Sequence, residues 1–345
     1  LLRPYQISDL LQQLREHFGI QPGAEISIEV DPASFNQKDL FDFLESGINR
    51  LSLGAQSFDN NVLQKIGRRH KFDQLIEACD WINDLYKKGN ITSWSLDLIQ
   101  NIPDENIQYW REQLQQAIEI SPPHLSIYDL SIEHGTVFDW RNRRGELNLI
   151  DDEASAEMSR LTNTMLKNAG FARYEISNFA LPGHASRHNR VYWSGLGWWG
   201  FGQGATSCLW GKRFNRPRKS IEYKNWLTKQ IEEGLNEALL FSNQYLIDFE
   251  DALLTGLRTR EGVNFKDLSD AWGWDDCQRE SFLNKLKTRW DTFIQEGLVR
   301  CIGDRIFLSN PDGMNLSNQI LVQMILWWES LPKDAVSAPT LSKLL

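Results

Sequence analysis

Over the first 135 residues, short apolar runs alternate with longer stretches whose apolar residues recur at helical spacing. The first helical stretch has its apolar residues on one face and ends at Gly19. The apolar runs predict four strands, at residues 26–30, 50–55, 94–99 and 125–130. Because helical stretches separate them, we expect parallel strands joined by helical crossovers, in a barrel or an open doubly wound sheet.

One observation favours the barrel over the open sheet. No GxGxxG or P-loop pattern follows any predicted strand, which argues against a nucleotide-binding open sheet. A closed α/β barrel needs about six to eight β/α units, more than the four predicted here. We therefore expect the remaining units upstream of Leu1, where the sequence starts in an amphipathic helix without a methionine. The predicted fold class is α/β, with a partial barrel.

The pattern changes after the predicted barrel domain, which covers residues 1–134. Residues 135–234 form a central segment with loops, one helix and a stretch rich in glycine and tryptophan. Residues 235–330 contain three helical patterns and a two-residue hairpin signal at Gly303 and Asp304, which predicts a winged-helix-like α+β domain. Residues 331–345 are expected to form a frayed tail.

Composition and charge narrow the possible partners. There are 37 Lys and Arg against 46 Asp and Glu, and the net charge of −9 argues against a nucleic acid partner. No apolar run is long enough to span a bilayer, so we expect no transmembrane segment. The four cysteines lack the spacing of a zinc site or a disulfide framework, which is typical of a reducing compartment. We therefore expect a cytoplasmic protein.

Polar side chains stand at or near the carboxyl ends of the predicted strands, where α/β barrels bind their ligands. Glu29, Gln56 and Asp97 are candidates, because a polar group in an apolar strand is costly without a partner. Arg68 lies in a loop that could bring a cation to them, and Ser131 follows the fourth strand. Three interpretations stay open: structural caps and salt bridges, a zwitterionic ligand, or a hydrolase acid/base pair of Glu29 and Asp97.

The central segment carries a histidine beside large aromatic side chains. His188, Asn189, Tyr192 and Trp193 belong to the run HNRVYW, which suits contact with haem because imidazole is a common axial ligand. A purely structural histidine and a zinc site shared with His184 are the alternatives. The glycines and tryptophans at residues 195–204 suit either stacking of a flat apolar ligand or a tight backbone bend.

Taken in order, these segments resemble the oxygen-independent coproporphyrinogen-oxidase-like radical SAM family over nearly the whole chain. The runs that carry the resemblance are EVDP (29–32), RLSLGAQSF (50–58), IGR (66–68), LDLI (96–99), LSIY (125–128), RYEISNF (173–179) and residues 306–321. The HNRVYW run resembles the HNxxYW motif of the heme chaperone branch rather than the oxidase. The implied fold is a partial (β/α)6 radical SAM barrel, about four of six units, followed by the winged-helix-like domain.

The resemblance also implies ligands for particular residues. The implied S-adenosylmethionine contacts are Glu29, Gln56, Arg68, Asp97 and, less closely aligned, Ser131. The implied haem contacts are His188, Asn189, Tyr192 and Trp193. In the family a CxxxCxxC loop holds a [4Fe–4S] cluster, and this sequence contains no such run. We therefore expect no metal ligand among these residues and place the cluster cysteines upstream of Leu1.

The implied function is that of a heme chaperone in haem and porphyrin metabolism. Such a protein would bind haem, S-adenosylmethionine and, at full length, the cluster, and would serve a haem acceptor protein that the sequence does not identify. The alternative is oxygen-independent coproporphyrinogen III oxidase activity, which converts propionates to vinyls by oxidative decarboxylation. A remote alternative is the hydrolase. Whether the chain catalyses a reaction is left open by these motifs.

Overall fold

The computed structural model of the chain describes residues 2–209, 212–233 and 248–331. The chain divides into two compact units, Leu1–Ser186 and Arg187–Leu345. We call them the first and the second unit. The division lies inside the predicted central segment 135–234, and the three-part division predicted from the sequence stays a prediction. The boundary at 234/235 and nearly all of the predicted tail, residues 332–345, lie outside the described residues.

The first unit alternates strands and helices along most of its length. Its elements are α1 (Pro4–His17), β1 (Ser27–Val30), α2 (Gln37–Glu45), β2 (Arg50–Gln56), α3 (Asn60–Lys65), α4 (Phe72–Lys87), β3 (Ser93–Gln100), α5 (Ile107–Ile120), β4 (His124–Asp129), α6 (Val137–Arg143), α7 (Asp152–Asn168), β5 (Ala172–Arg173) and β6 (Asn178–Ala180). The four strands predicted from the apolar runs are β1 to β4, and the predicted α/β class with a parallel sheet is confirmed.

The strands of the first unit form one six-stranded sheet in the order β1-β2-β3-β4-β6-β5. Neighbours from β1 to β4 pair in parallel, whereas β6 runs antiparallel to both β4 and β5. The helical crossovers between the parallel strands begin with side-chain caps. The Asn36 side chain accepts from the backbone N–H of Asp39 before α2, and Asn106 accepts from that of Tyr109 before α5.

The two faces of the parallel strands differ in polarity. Residues on the helix-covered face are fully buried; they include Leu51, Leu53, Trp94, Leu96, Leu98 and Leu125. Each buried side chain of this size contributes about 1.5–3 kcal/mol relative to an exposed one. The opposite face carries polar side chains at the alternate positions, beginning with Glu29, Ser52 and Ser95, which are paired in register. The first unit therefore has its core on one side of the sheet.

The second unit contains a hairpin, a three-stranded sheet and several helices. Its described elements are α8 (Arg187–Trp193), β7 (Thr206–Leu209), β8 (Lys212–Asn215), α9 (Ser220–Glu233), α10 (Phe249–Gly256), β9 (Val263–Asn264), α11 (Phe265–Ala271), α12 (Asp276–Arg289), α13 (Asp291–Gln295), β10 (Val299–Ile302), β11 (Arg305–Leu308), α14 (Asp312–Asn315) and α15 (Ser317–Glu329). Strands β10, β11 and β9 are antiparallel neighbours, and the predicted two-residue turn joins β10 to β11.

Aromatic side chains fill the core of the second unit. The Phe249 ring stacks on Trp274 with ring centres 4.5 Å apart and on Trp328 at 5.7 Å. Phe282 meets the Phe249 ring edge-on at 5.6 Å, and Trp272 does so at the same distance. Three of the 14 tryptophans of the sequence therefore serve packing here, as aromatic pairs contribute about 0.5–1.5 kcal/mol beyond the area that they bury.

None of the helices in residues 2–209, 212–233 and 248–331 is both long and apolar enough to cross a membrane.

The burial of β3 yields a stability prediction. Leu96 is 0% exposed at the centre of the sheet, whereas Leu10 on α1 is 47% exposed. We expect Leu96→Ala to lower the free energy of unfolding by about 2–5 kcal/mol, because it leaves a cavity in a packed core. Leu10→Ala, the matched control, should change it by less than about 0.5 kcal/mol. Urea denaturation followed by circular dichroism measures both, and equal effects would contradict this description of the core.

Candidate functional site

A layer of polar side chains, three of them buried, lies on the face of the first unit's sheet opposite its apolar core. Ser52 on β2 pairs in register with Ser95 on β3, and Ser95 pairs with His124 on β4. One step further along, Asp97 pairs with Ser126. Residues two apart on a strand share a face, so all five side chains project from the same side of the sheet. Parallel sheets are usually apolar on both faces, and the exception marks this face as a candidate ligand site.

Asp97 is the centre of this layer. The Ser52 hydroxyl donates to its Oδ2 at 2.8 Å, and the Ser95 hydroxyl donates to its Oδ1 at 2.8 Å. Burial raises the pKa of Asp97, the hydrogen bonds from Ser126, Ser52 and Ser95 oppose that shift, and the charge of Glu29 adds to it. The structure thus brings two predicted candidates, Glu29 and Asp97, close enough for their charges to interact.

A chain of hydrogen bonds leads from Asp97 across the sheet. The Ser95 oxygen lies 2.8 Å from His124 Nδ1, and His124 Nε2 lies 2.9 Å from the Tyr174 hydroxyl. Since the one hydroxyl hydrogen of Ser95 goes to Asp97, Nδ1 of His124 is the donor to Ser95 and Nε2 accepts from Tyr174. Burial holds the pKa of His124 well below its usual range, so the ring is neutral at pH 7.

The side chains of Glu29 and Gln56 have no hydrogen-bond partner among the residues that the structure describes. The Glu29 side chain is exposed and forms no hydrogen bond or ion pair with another described residue. Gln56 has a left-handed backbone, φ 66°, at a point where the pairing of β2 with β3 shifts register. Its amide folds back over Gly54, where an added Cβ would lie 2.9 Å from Gln56 Nε2. Gly54 therefore leaves the space that the Gln56 amide occupies.

Arg68 reaches the end of β1 from the loop after α3. Its guanidinium lies 3.7 Å from the Asp31 carboxylate, and His70 Nδ1 lies 3.5 Å from the same group. Nε2 of the buried His70 is 3.1 Å from the backbone oxygen of Ala55, which fixes the loop against β2. Arg68 thus stands at the strand end where the sequence predicted a cation, with Asp31 as its ion-pair partner.

Ser131 is placed differently from the other candidates. It lies beyond the end of β4, is exposed, and its hydroxyl donates to Glu133 at 3.2 Å. Its role as a ligand contact stays a prediction. The sequence reasoning also missed Ser52, Ser95 and His124. The sequence could have revealed these three residues, because polar residues occupy every second position of otherwise apolar strands.

The RYEISNF run, residues 173–179, forms hydrogen bonds within itself. Arg173 donates through Nε to the backbone oxygen of Ile176 at 3.0 Å, and its guanidinium lies 5.6 Å from the Phe179 ring centre. Glu175 accepts from the backbone N–H of Ser177 at 3.2 Å and from the Asn178 amide. Burial raises the pKa of Glu175. These contacts shape the turn between β5 and β6.

The polar layer fits the polar groups of S-adenosylmethionine. That ligand offers an ammonium group and ribose hydroxyls, which are donors, and the unpartnered Glu29 carboxylate and the Asp97 carboxylate are acceptors. The cysteines fit a [4Fe–4S] cluster less well. Cys79 and Cys208 are buried singly, and no group of three or more His, Cys, Asp or Glu in the described ranges could hold a metal ion. A [4Fe–4S] cluster therefore stays an expectation from the family resemblance.

A second candidate site lies in the second unit. His188, Tyr192 and Trp198 form a continuous row of rings, with centres 4.8 Å apart for the first pair and 4.5 Å for the second. His188 is exposed, and Tyr192 and Trp198 are half-buried. Exposed Leu196 and Phe201 lie in the same loop. An accessible imidazole beside an apolar, aromatic surface fits a flat ligand such as haem.

The glycine-rich stretch forms an additional strand-like segment against β7. Trp198 and Cys208 exchange two backbone hydrogen bonds, at 2.8 and 2.9 Å. A Cβ at Gly200 would lie 2.3 Å from the backbone oxygen of Thr206, so only glycine allows this approach. The close backbone approach expected of these glycines is therefore present, and it carries Trp198 to the row of rings. Stacking of a flat ligand on this stretch stays a prediction.

Helix α8, which carries the HNRVYW run, is anchored within the second unit. Arg190 donates to Glu261 at 2.5 Å, and the Arg258 guanidinium lies 5.7 Å from the Trp193 ring centre. His184, the other histidine of the zinc alternative, belongs to the first unit. Its Nδ1 lies 3.1 Å from the Ser93 hydroxyl and its Nε2 lies 3.2 Å from the Tyr86 hydroxyl, so both ring nitrogens have partners there.

The chain is similar to a known superfamily and to named relatives. Residues 1–117 match the model of the Radical SAM superfamily. The chain is 37% identical to the heme chaperone HemW of Synechocystis sp. over 91% of this chain and 77% of that protein. It is 27% identical to HemW of Lactococcus lactis over 94% and 82%.

Among solved structures, coproporphyrinogen III oxidase HemN from Escherichia coli matches with a TM-score of 0.72 and 19% identity, over 94% of this chain and 75% of that one. At this identity the match concerns the fold alone, and it supports a radical SAM barrel followed by a C-terminal domain. The sequence relatives are more specific, since they bear the heme chaperone name at up to 37% identity over most of their length. The chain belongs to the HemW branch of the radical SAM superfamily.

Proposed function

We propose that this protein is a heme chaperone that binds haem on the second unit and S-adenosylmethionine on the first. Membership of the HemW branch carries the proposal, because relatives at up to 37% identity have that name. The row of rings that begins at His188 supports it independently, since a flat apolar ligand needs such a surface. The acceptor of the haem is another protein, which neither unit identifies.

On the first unit, Glu29, Gln56, Asp97 and Arg68 are the proposed contacts of S-adenosylmethionine, with Ser131 as a more distant one. The carboxylates of Glu29 and Asp97 would accept from its ammonium and hydroxyl groups, and Arg68 would attract its carboxylate. The serine hydroxyls on Asp97 hold that carboxylate in one orientation before any ligand arrives. In the family, S-adenosylmethionine supplies radical chemistry when it is bound beside a reduced [4Fe–4S] cluster.

On the second unit, His188 would bind the haem iron, and Asn189, Tyr192 and Trp193 would complete the contact region. Helix α8 presents the imidazole, while the Arg190–Glu261 and Arg258–Trp193 contacts hold the helix in place. Because His188 is exposed, haem could reach it without a large rearrangement and could also leave. Exchangeable binding is what delivery to another protein requires.

Two other functions have less support. The oxidase shares the fold of this chain, but the match is 19% identical and does not extend to function. The hydrolase interpretation needs Glu29 and Asp97 as an acid/base pair, and the family offers cofactor binding as the simpler use of both. A cytoplasmic location remains a prediction from the sparse cysteines, none of which forms a disulfide.

The proposed axial role of His188 can be tested by mutation. We expect His188→Ala to weaken ferric haem binding about tenfold or more, because it removes the imidazole that would bind the iron. Titration followed at the Soret band measures the affinity. His17→Ala removes an exposed histidine from α1 and is the matched control. An unchanged titration for His188→Ala would remove this role.

We expect Asp97→Asn to weaken ligand binding and, at the same time, to stabilise the folded protein. The substitution should lower the affinity for S-adenosylmethionine about tenfold or more, because a charged acceptor is lost. It should raise the melting temperature at pH 8, because burial disfavours the ionised carboxylate in the folded state.

The sign of the pH dependence follows from the raised pKa of Asp97. At low pH the folded wild type keeps Asp97 protonated and pays no penalty, so the stability advantage of Asn should shrink as the pH falls. Equilibrium dialysis with labelled S-adenosylmethionine and thermal melts at several pH values measure both effects. Asp104→Asn, an exposed carboxylate paired with Lys65, is the control and should change neither. An unaltered affinity for Asp97→Asn would contradict the site.

The oxidase alternative is tested with the full-length protein carrying a reconstituted cluster. We expect saturable haem binding and no decarboxylation of coproporphyrinogen III. Product analysis by chromatography beside a haem titration gives both results on one preparation. Turnover of the porphyrinogen by a protein that does not bind haem would contradict the chaperone proposal.

A further inference from the structure

We propose that Arg213 binds a carboxylate of the flat ligand held by the second unit, which for haem is a propionate group. The inference rests on the proposed haem function and adds a recognition residue outside the HNRVYW run. Arg213 lies on β8, some 20 residues after that run. Its role is to choose among porphyrins by their carboxylates, whereas His188 would bind the iron.

The hairpin β7–β8 places Arg213 at the end of the row of rings. Cys208 pairs in register with Arg213 on one side and forms the bridge to Trp198 on the other. The Arg213 guanidinium lies 5.8 Å from the Trp198 ring centre. Trp198 in turn packs on Tyr192, and Tyr192 packs on His188. One surface therefore runs from an imidazole, across two aromatic rings, to a cation.

This order of groups matches the chemistry of haem. The porphyrin has a central metal that needs an axial ligand, a flat apolar body, and carboxylates on one edge. An imidazole, aromatic rings and a guanidinium are the corresponding protein groups. A guanidinium suits the edge because its planar fork can donate two parallel hydrogen bonds to one carboxylate.

The contacts of Arg213 with the described residues leave it donor capacity for a ligand. Its ion-pair partner, Asp251 on α10, is 4.0 Å away, and the two side chains are 43% and 35% exposed. By comparison, the Arg190–Glu261 pair of the same unit closes to 2.5 Å. The Cys208 thiol is a further contact of Arg213. A loose pair of this kind can exchange one carboxylate for another at little cost.

Arg216, the next arginine after Arg213, has the contacts expected of a structural residue. Arg216 is buried, donates to the Ser207 hydroxyl at 2.8 Å, and lies 5.4 Å from Trp199 and 5.5 Å from Trp226. Ser207 alternates with Cys208 along β7, so Arg216 belongs to the opposite face of the hairpin from Arg213. Of these two arginines, Arg213 alone is accessible to a ligand beside Trp198.

The competing explanation is that Arg213 only ties the hairpin to α10 through Asp251. The two explanations differ in what Asp251→Asn does. If Arg213 only forms the ion pair that joins the hairpin to α10, Asp251→Asn removes the same contact as Arg213→Ala. Both variants should then weaken haem binding. If Arg213 binds a propionate, Asp251 competes with the ligand, and Asp251→Asn strengthens haem binding.

The experiment titrates the protein with ferric haem and with its dimethyl ester, which lacks the free carboxylates, in the same detergent-containing buffer. We expect Arg213→Ala to weaken haem binding about tenfold and to leave ester binding unchanged, because a charge-assisted hydrogen bond is lost only with haem. Arg213→Lys should recover part of the affinity. Arg300→Ala, an exposed arginine on β10, controls for net charge and should have no effect. Thermal melts verify that each variant is folded.

Equal losses for haem and ester in Arg213→Ala, or weaker haem binding in Asp251→Asn, would overturn the role of Arg213 while leaving the haem site intact. A wild-type protein that binds neither ligand would overturn the proposed function itself, and the role of Arg213 with it. Weaker haem binding without weaker ester binding, together with stronger haem binding in Asp251→Asn, supports the proposal.

Discussion

The first unit depends on one constraint: its parallel strands bury apolar side chains on one face only. Leu51, Leu53 and Leu96 fill the helix-covered face completely. The other face must then satisfy a layer of serine, histidine and aspartate groups by mutual hydrogen bonds, because unpaired polar groups in such a place are costly. Asp97 is held by two serine hydroxyls for this reason, and the same contacts would orient it for the proposed ligand. Folding and the proposed ligand binding would therefore use the same hydrogen bonds.

The second unit keeps a row of aromatic rings partly exposed, outside its aromatic core. Close backbone contact at Gly200 and the bridge between Trp198 and Cys208 fix the hairpin sheet. With the backbone fixed, alternate side chains separate onto two faces. One face buries Arg216 among aromatic rings, and the other exposes Arg213 beside Trp198. The same short segment thus provides both stability and an accessible surface.

Much of the first unit could be predicted from the sequence because local patterns decide it. Four apolar runs became β1 to β4, and Glu29 and Asp97 came together because parallel strands end at one edge. The antiparallel pairing of β6 with β4 was not predictable, since β6 has only three residues and its register is set by the distant strand. Ser52 and His124 were missed for a related reason. Neither is unusual by itself, and only the register between strands joins them to Asp97 through Ser95.

In the second unit, the sequence indicated His188 and its aromatic neighbours but not the order of the rings or the cation beyond them. Arg213 belongs to no recognisable run, and its position follows from strand pairing with Cys208. Binding of haem to this surface can be measured by titrating the wild-type protein with ferric haem. We expect saturation at one haem per chain, with a Soret band distinct from that of free haem. A spectrum that stays that of free haem, without a saturation point, would contradict this expectation.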